Sequence, residues 1–227
     1  MFNMQSFGTI ELFKSAWTNT ERVDVVFDLF GTLVDVSDRS DPACAVAREI
    51  SARGVSVPDD WQIAYRESHI TASQGAEVPL PIHVRHALRS RGIEASENVC
   101  RRAVSAAFEP DVTTRQGACE AVEAAARCGQ VGLCSNCSVP ELVTQTLVRS
   151  DVDRDLFDAI VTSVDCGWRK PDRRVFEAVA SQLGTDVTSL VLVGDDRETD
   201  GGIERVGGTF IDVNDVPLIQ FSEREER

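Results

Sequence analysis

Lysine is almost missing from this chain. Of 23 basic residues only Lys14 and Lys170 are lysines, the others being arginine, and they face 37 acidic residues for a net charge of -14. So acidic a surface excludes nucleic-acid binding by phosphate neutralisation and disfavours anionic membranes. No apolar run approaches the roughly 18 residues needed to span a bilayer. The first residues, Met1 to Lys14, lack the basic segment and apolar core of a secretory signal, so a cytoplasmic protein is expected. Cysteines number seven, an odd count that argues against a disulfide scaffold and for free thiols. Cys134 and Cys137 form a C-x-x-C pair, but no second pair stands at zinc-finger spacing, and neither a structural zinc nor a redox role is expected. Acid excess with so little lysine matches a surface adapted to concentrated salt, where the Debye length falls to about 3 Å at 1 M and self-repulsion is screened. The plainer alternative is an acidic protein from a GC-rich genome.

What is present is ordinary globular material, 42% apolar and 26% charged. At 227 residues the chain is one large domain, or one domain carrying an insertion. Val23 to Asp28 is a short apolar run that reads as a buried strand. From Gln116 onward strands and helices alternate: helix to Cys128, strand Val131 to Cys134, helix to about Arg149, strand Ala159 to Ser163, helix Arg173 to Leu183, strand Leu190 to Gly194, short helix Glu198 to Val206 and strand Thr209 to Val213. Ser138-Val139-Pro140-Glu141 has the pattern of a capping box. Alternation of this kind predicts an α/β fold with a Rossmann-like parallel sheet covered on both faces. The stretch between the first strand and Gln116 is too long for a plain crossover and has helical patterning. The expected organisation is an N-terminal extension over residues 1–22, a core over 23–38 and 111–222, and an inserted helical cap over 39–110. Phe7, Ile10, Phe13 and Trp17 would line one side of a helix in the extension.

Parallel sheets bind ligands beyond the carboxyl ends of their strands. Four stations stand there. The first is Asp28-Leu29-Phe30-Gly31-Thr32-Leu33, the second Ser135-Asn136, the third Arg169-Lys170-Pro171-Asp172, and the fourth Gly194-Asp195-Asp196 with Asp200 beyond it. Clustered carboxylates repel one another and are costly to desolvate. A divalent cation relieves both, and oxygen ligands suit Mg²⁺. One of only two lysines falls in the third station, where a compact ammonium differs from a guanidinium fork.

In order and spacing these stations resemble the haloacid dehalogenase-like hydrolase superfamily over about residues 23 to 213. The resemblance implies a parallel core around a central first strand with a cap inserted after it. It implies Asp28 as a nucleophile that becomes an aspartyl-phosphate. It implies Mg²⁺ held by Asp28, the backbone carbonyl of Phe30 and Asp195, with Asp196 or Asp200 completing the set. Ser135 and Thr32 would hold phosphoryl oxygens, and Lys170 would neutralise developing charge.

One position departs from the phosphatase pattern. The second Asp, which protonates the leaving group, is replaced by Phe30. Three readings compete. A phosphatase would draw its proton from a cap group, from substrate or from water; His69, His83 and His86 lie in the insert with Arg66, Glu67 and Arg85, and Asn136, Arg66 and His69 are candidate substrate contacts. A 2-haloacid dehalogenase needs no such acid, carries an aromatic residue there and has a run like Ser135-Asn136-Cys137-Ser138, but lacks the acidic fourth station. A non-catalytic binding protein would retain the fold alone. The phosphonate-cleaving branch requires a cap lysine, and none lies between Asp28 and Ser135. The expected partner is a small organic phosphate such as a sugar phosphate, a nucleotide or phosphoglycolate, with no nucleic acid and no membrane.

Overall fold

The computed structural model describes residues 22–37, 41–109 and 111–221. The apolar stripe expected at Phe7 to Trp17 lies outside the described residues. Strand β1 (Asp24–Phe27) is buried along its whole length. That burial explains its unbroken run of Val25, Val26 and Phe27 rather than a polar alternation. It lies at the centre of a five-stranded sheet of order β5-β4-β1-β6-β7, with β4 (Val131–Ser135), β5 (Ala159–Thr162), β6 (Leu190–Gly194) and β7 (Thr209–Asp212). Every pairing is parallel.

The two faces of β1 feed two apolar clusters. Val25 and Phe27 pack with Ala121, Val122 and Ala125 of helix α5 (Ala118–Cys128) and with Val143 and Leu147 of α6 (Leu142–Arg149). Val26 points the other way, into a cluster with Val175, Phe176, Val179 and Leu183 of α8 (Arg173–Leu183). Helix α8 starts on Asp172, whose side chain accepts from the Arg174 amide, and stops at Gly184 in the left-handed region. The short helix α7 (Ser163–Cys166) follows β5 directly.

Helices α1 (Pro42–Ala52), α2 (Trp61–Arg66), α3 (Leu80–Arg89) and α4 (Glu97–Ala107) fill the long stretch after β1. They are flanked by two strands that the periodicity does not reveal. β2 (Val34–Ser37) and β3 (Asp111–Thr114) pair antiparallel, Val34 opposite Thr114 and Ser37 opposite Asp111, and form a narrow stalk where the insert leaves and returns. Each is only four residues long and mixed in polarity, too short to show an alternation.

Two local expectations fail. The capping box does not form: α6 begins at Leu142 after Glu141 in the left-handed region, with no side-chain cap. The Ser138 hydroxyl donates to the buried carboxylate of Glu77 at 2.9 Å, and its carbonyl accepts from the Leu80 amide, so the residue is held against the insert rather than against the start of α6. The helix expected over Glu198 to Val206 is a 3₁₀ segment, Asp200–Val206, containing the helix-weakening pair Gly201-Gly202. Among the described residues no helix is long and apolar enough to cross a membrane.

Phe176 is fully buried between α8 and the sheet. Phe176→Ala is expected to cost about 3–5 kcal/mol of stability, by loss of transfer energy and creation of a cavity. A urea unfolding curve would show it as a lowered midpoint with unchanged slope.

Candidate active site

The register of the central strands brings three stations to one level. Phe27 stands opposite Leu133 on one side and Val193 on the other. Asp28, Cys134–Ser135 and Gly194–Asp195 therefore follow at the same edge. The Asp28 amide donates to the Val193 carbonyl at 2.9 Å, which carries the ladder one residue past β1. The chain then turns sharply: Leu33 and Val34 amides both donate to the Leu29 carbonyl, at 2.9 and 3.0 Å. Gly31 sits in this turn at φ 82°, and a Cβ there would run into the Asp195 carboxylate. Glycine is required by both counts.

Lys170 is the hub. It is 3% exposed, and its ammonium donates to Asp28 Oδ1 at 2.7 Å and to the Cys134 carbonyl at 2.8 Å, with Asp200 Oδ1 at 2.5 Å. Two acceptors thus take N–H bonds of the ammonium, and the Asp200 carboxylate adds an ion pair. Its backbone is clasped on both sides by one side chain: the Lys170 amide donates to Asn136 Oδ1 at 2.8 Å, and Asn136 Nδ2 donates to the Lys170 carbonyl at 3.0 Å. Asn136, expected as a substrate contact, is thus engaged in fixing Lys170.

The carboxylates of Asp28, Asp195 and Asp200 converge, with one oxygen of each within 4.8 Å of the others. Three carboxylates against one ammonium leave an excess of negative charge that a divalent cation would offset. All-oxygen donors of this kind fit Mg²⁺. Thr32 is fully buried, and its hydroxyl donates to Asp195 Oδ1 at 3.1 Å, so the structure places it on the acidic cluster rather than free for a phosphoryl oxygen. Asn214, which the sequence reading missed, donates to the Asp195 carbonyl at 3.1 Å from beyond β7. Asp196 does not join the cluster. It is exposed, and its carboxylate accepts from the amides of Glu198 and Thr199 at 2.8 and 3.4 Å. Of the two alternatives at the fourth station, Asp200 is the one brought in, while the Asp196 amide donates to Asp200 Oδ2 at 3.2 Å.

Ser135 lies at the end of β4, 1% exposed, and its hydroxyl has no partner among the described residues. A buried hydroxyl left unpaired costs about 1–3 kcal/mol. A ligand oxygen would satisfy it. Phe30 is half-buried, its side chain packed against the core cluster, and it offers no proton.

Burial raises Asp28 to about 6 against the opposing pull of Lys170, with Asp200 adding repulsion. Burial also raises Asp195, which Thr32 partly counters. For Lys170 burial works against the charged form, but the Asp28 and Asp200 carboxylates outweigh it and hold the ammonium protonated. Burial pushes the Cys134 thiol up to about 12 and the Cys137 thiol up to about 11, so the C-x-x-C pair consists of neutral packing thiols.

The candidates in the insert bond elsewhere. His69 Nε2 contacts the Ala64 carbonyl and His83 Nε2 the Tyr65 carbonyl, both at 2.7 Å. Arg66 pairs with Asp41 at 3.4 Å, and Glu67 with Arg91 at 2.9 Å. His86 is exposed on α3, and Arg85 lies half-buried beside it. Among the described residues, none of these bonds to Asp28, Asp195 or Asp200.

The family model for haloacid dehalogenase-like hydrolases matches residues 25–203. The chain belongs to that family. Its fold is shared with a 2-haloacid dehalogenase from Pseudomonas syringae, 19% identical, TM-score 0.62, with 85% of this chain and 86% of that one covered. It is shared with a HAD family enzyme from Bacteroides thetaiotaomicron in complex with magnesium and inorganic phosphate, 16% identical, TM-score 0.56, covering 84% and 93%. It is shared too with CbbY from Rhodobacter sphaeroides in complex with phosphate, 16% identical, TM-score 0.56, covering 84% and 85%. No curated protein matches the chain. At these identities the likeness is one of fold, and dehalogenase and phosphate-binding relatives both share it.

An unfolded aspartate titrates near 3.8 and the folded, metal-free Asp28 near 6. Between those values the folded chain holds a proton that the unfolded chain has lost, so this residue's contribution to stability falls as pH rises through the window. Asp28→Asn has no proton to lose. Relative to the metal-free wild type, its melting temperature is expected to rise by more, or fall by less, between about pH 4 and about pH 7; thermal melts in chelator at the two pH values check this.

Proposed function

We propose that this hydrolase is a metal-dependent phosphomonoesterase acting on a small organic phosphate through an aspartyl-phosphate at Asp28. The observation that carries the reading is the convergence of the Asp28, Asp195 and Asp200 carboxylates at the sheet edge, two of them paired with the Lys170 ammonium. A haloacid ester displacement needs a carboxylate and a halide pocket. It does not need two further carboxylates, which would repel an anionic substrate unless a cation stood among them.

Each residue then has a task. Asp28 attacks phosphorus and the leaving oxygen departs. Lys170 keeps Asp28 ionised and balances charge on the phosphoryl group. Ser135 donates its hydroxyl to a phosphoryl oxygen. Asp195 and Asp200, with Asp28 and the Phe30 carbonyl, would hold Mg²⁺. Mg²⁺, when bound, supplies charge neutralisation of the transferring phosphoryl group. Thr32 and Asn214 hold the side chain and backbone of Asp195 in place. Water then attacks the aspartyl-phosphate and releases phosphate, regenerating Asp28.

Phe30 supports a second reading, since an aromatic residue where the acid would stand suits expulsion of halide, which takes no proton. The same residue limits the first reading to substrates with good leaving groups or a proton source of their own. Help from a general acid is typically worth about 10²–10⁴-fold, and alkyl phosphates are expected to turn over more slowly by that order than aryl phosphates. The acidic surface supports a small-molecule partner rather than nucleic acid or membrane, and an assay in concentrated salt.

p-Nitrophenyl phosphate in molar KCl is the test. Release of p-nitrophenolate is expected to require Mg²⁺ and to fall on the order of a thousandfold or more in Asp28→Asn. A folded protein that binds Mg²⁺ yet leaves this ester intact would overturn the phosphatase reading. Chloride release from 2-chloropropionate would then favour the dehalogenase, and inertness towards both a binding protein.

A further inference from the structure

Glu77 is a carboxylate of the inserted region that lies buried against the catalytic half of the molecule. Its side chain is 2% exposed. It sits between α2 and α3, in a segment fastened to the core by main-chain bonds. Ala76 bridges Trp168 antiparallel, the Glu77 amide donates to the Gly167 carbonyl at 2.9 Å, the Arg169 amide to the Gly75 carbonyl at 3.0 Å, and the Leu80 amide to the Ser138 carbonyl at 2.8 Å. The segment thus touches both the second station and the third, immediately beside Asn136 and Lys170.

The carboxylate itself is satisfied from the core. Glu77 Oε1 accepts from the Ser138 hydroxyl at 2.9 Å and from the Val78 amide at 3.0 Å. Glu77 Oε2 accepts from the Ser163 hydroxyl at 2.5 Å, with Arg169 Nε more distant at 3.9 Å. The Ser163 contact has the length of a charge-assisted O–H···O⁻ bond, roughly twice as strong as a neutral one. Ser163 has one proton, and the Cys137 carbonyl at 3.3 Å is the poorer claimant. With the proton committed to Glu77, the Ser163 oxygen is left as an acceptor, and it takes the Cys137 amide at 2.9 Å. Cys137 follows Asn136, which clasps Lys170, and Ser135, whose hydroxyl is unpaired.

We infer that Glu77 is a positioning residue for the phosphoryl site, acting through the Ser163 hydroxyl and the Cys137 amide to fix the loop that carries Ser135 and Asn136. The carboxylate belongs to the inserted region and the loop to the core. Docking the Glu77 segment and ordering the loop are therefore one event. The kinetic part of this inference rests on the phosphatase reading, and its structural part does not.

Ser163→Ala removes the relay while leaving the bonds of Glu77 to Ser138 and Val78, and it remains informative if Glu77→Gln folds poorly. Deuterium uptake at the Cys137 amide, which needs no turnover, is expected to quicken in both variants; unchanged uptake in Ser163→Ala overturns the proposal. With p-nitrophenyl phosphate and Mg²⁺, each variant is expected to lose about tenfold to a hundredfold in kcat with KM nearly constant, as misplaced groups do. The double variant is expected to be no slower than the slower single one, because both act on one relay. Unchanged kcat, a loss confined to KM, or losses that multiply in the double variant would each overturn it. A wild-type protein that does not hydrolyse the ester at all defeats the phosphatase reading instead, and amide exchange then decides the positioning role alone.

Discussion

The site depends on one buried ammonium. Lys170 is almost fully enclosed, and an unpaired charge there would cost several kcal/mol. It is tolerable only because the Asp28 carboxylate and the Cys134 carbonyl accept from it and the Asp200 carboxylate forms an ion pair with it. Those groups come from the end of β1, β4, and the start of the 3₁₀ segment after β6. The ammonium therefore demands that three separate parts of the chain reach one point. Removing Asp28 or Asp200 leaves a contact unmade; removing Lys170 leaves two carboxylates facing one another without compensation.

That demand explains much of the surrounding backbone. The register placing Phe27 between Leu133 and Val193 sets the level of the site, and a slip of one residue would send Asp28 to the opposite face. Gly194 permits Asp200 to lie against the end of β6, where any Cβ would overlap its carboxylate. Gly31 does the same for Asp195. Asn136 then holds Lys170 by its main chain rather than its charge, so the ammonium is aimed by a neutral group that does not compete for it. These contacts fix the charge of the site before a ligand arrives, which is what the proposed phosphoryl transfer would need more than reactive groups.

The parts of this arrangement that were legible in the sequence are those that repeat at a fixed place. Apolar runs of four to six residues marked the strands of the parallel sheet, and the polar residue after each run marked a station. Asp28, Ser135 and Asp195 stand at or directly after their strands; Lys170 and Asp200 lie several residues beyond, where the scarcity of lysine and the resemblance to the family point to Lys170 and to Asp196 or Asp200. What a side chain does at its station was less legible, because it depends on the nearest partner across the fold. Thr32 turns to Asp195, Asn136 to Lys170, and Asp196 to its own following amides, none of which spacing reveals. Glu77 lies far from any station along the chain, in a segment without periodicity, and only tertiary contact identifies it. Asn214 lies just beyond the last strand, a position of the same kind as the stations, but its side chain carries no charge to mark it. The β2–β3 stalk escaped for a different reason, that four-residue strands of mixed polarity carry too little pattern.

Phe30 gives the site its chemical character. Its carbonyl remains available to a cation, while its side chain packs against the core and can neither give nor accept a proton. On the proposed phosphatase reading, with Asp28 as nucleophile, Lys170 compensating charge and Ser135 holding a phosphoryl oxygen, the first displacement would lack only help for the leaving group. The second step, attack by water, would lose its base at the same position. Both deficits would act in one direction, slowing turnover of ordinary alkyl esters without weakening the hold on a phosphoryl group. Of the three histidines of the insert, His69 and His83 do not repair this from where they stand, since each spends a ring nitrogen on a backbone carbonyl of the insert. A site of this composition selects by leaving group. It discriminates most strongly between substrates that depart as stable anions and those that need a proton, and only secondarily by the shape of what is attached.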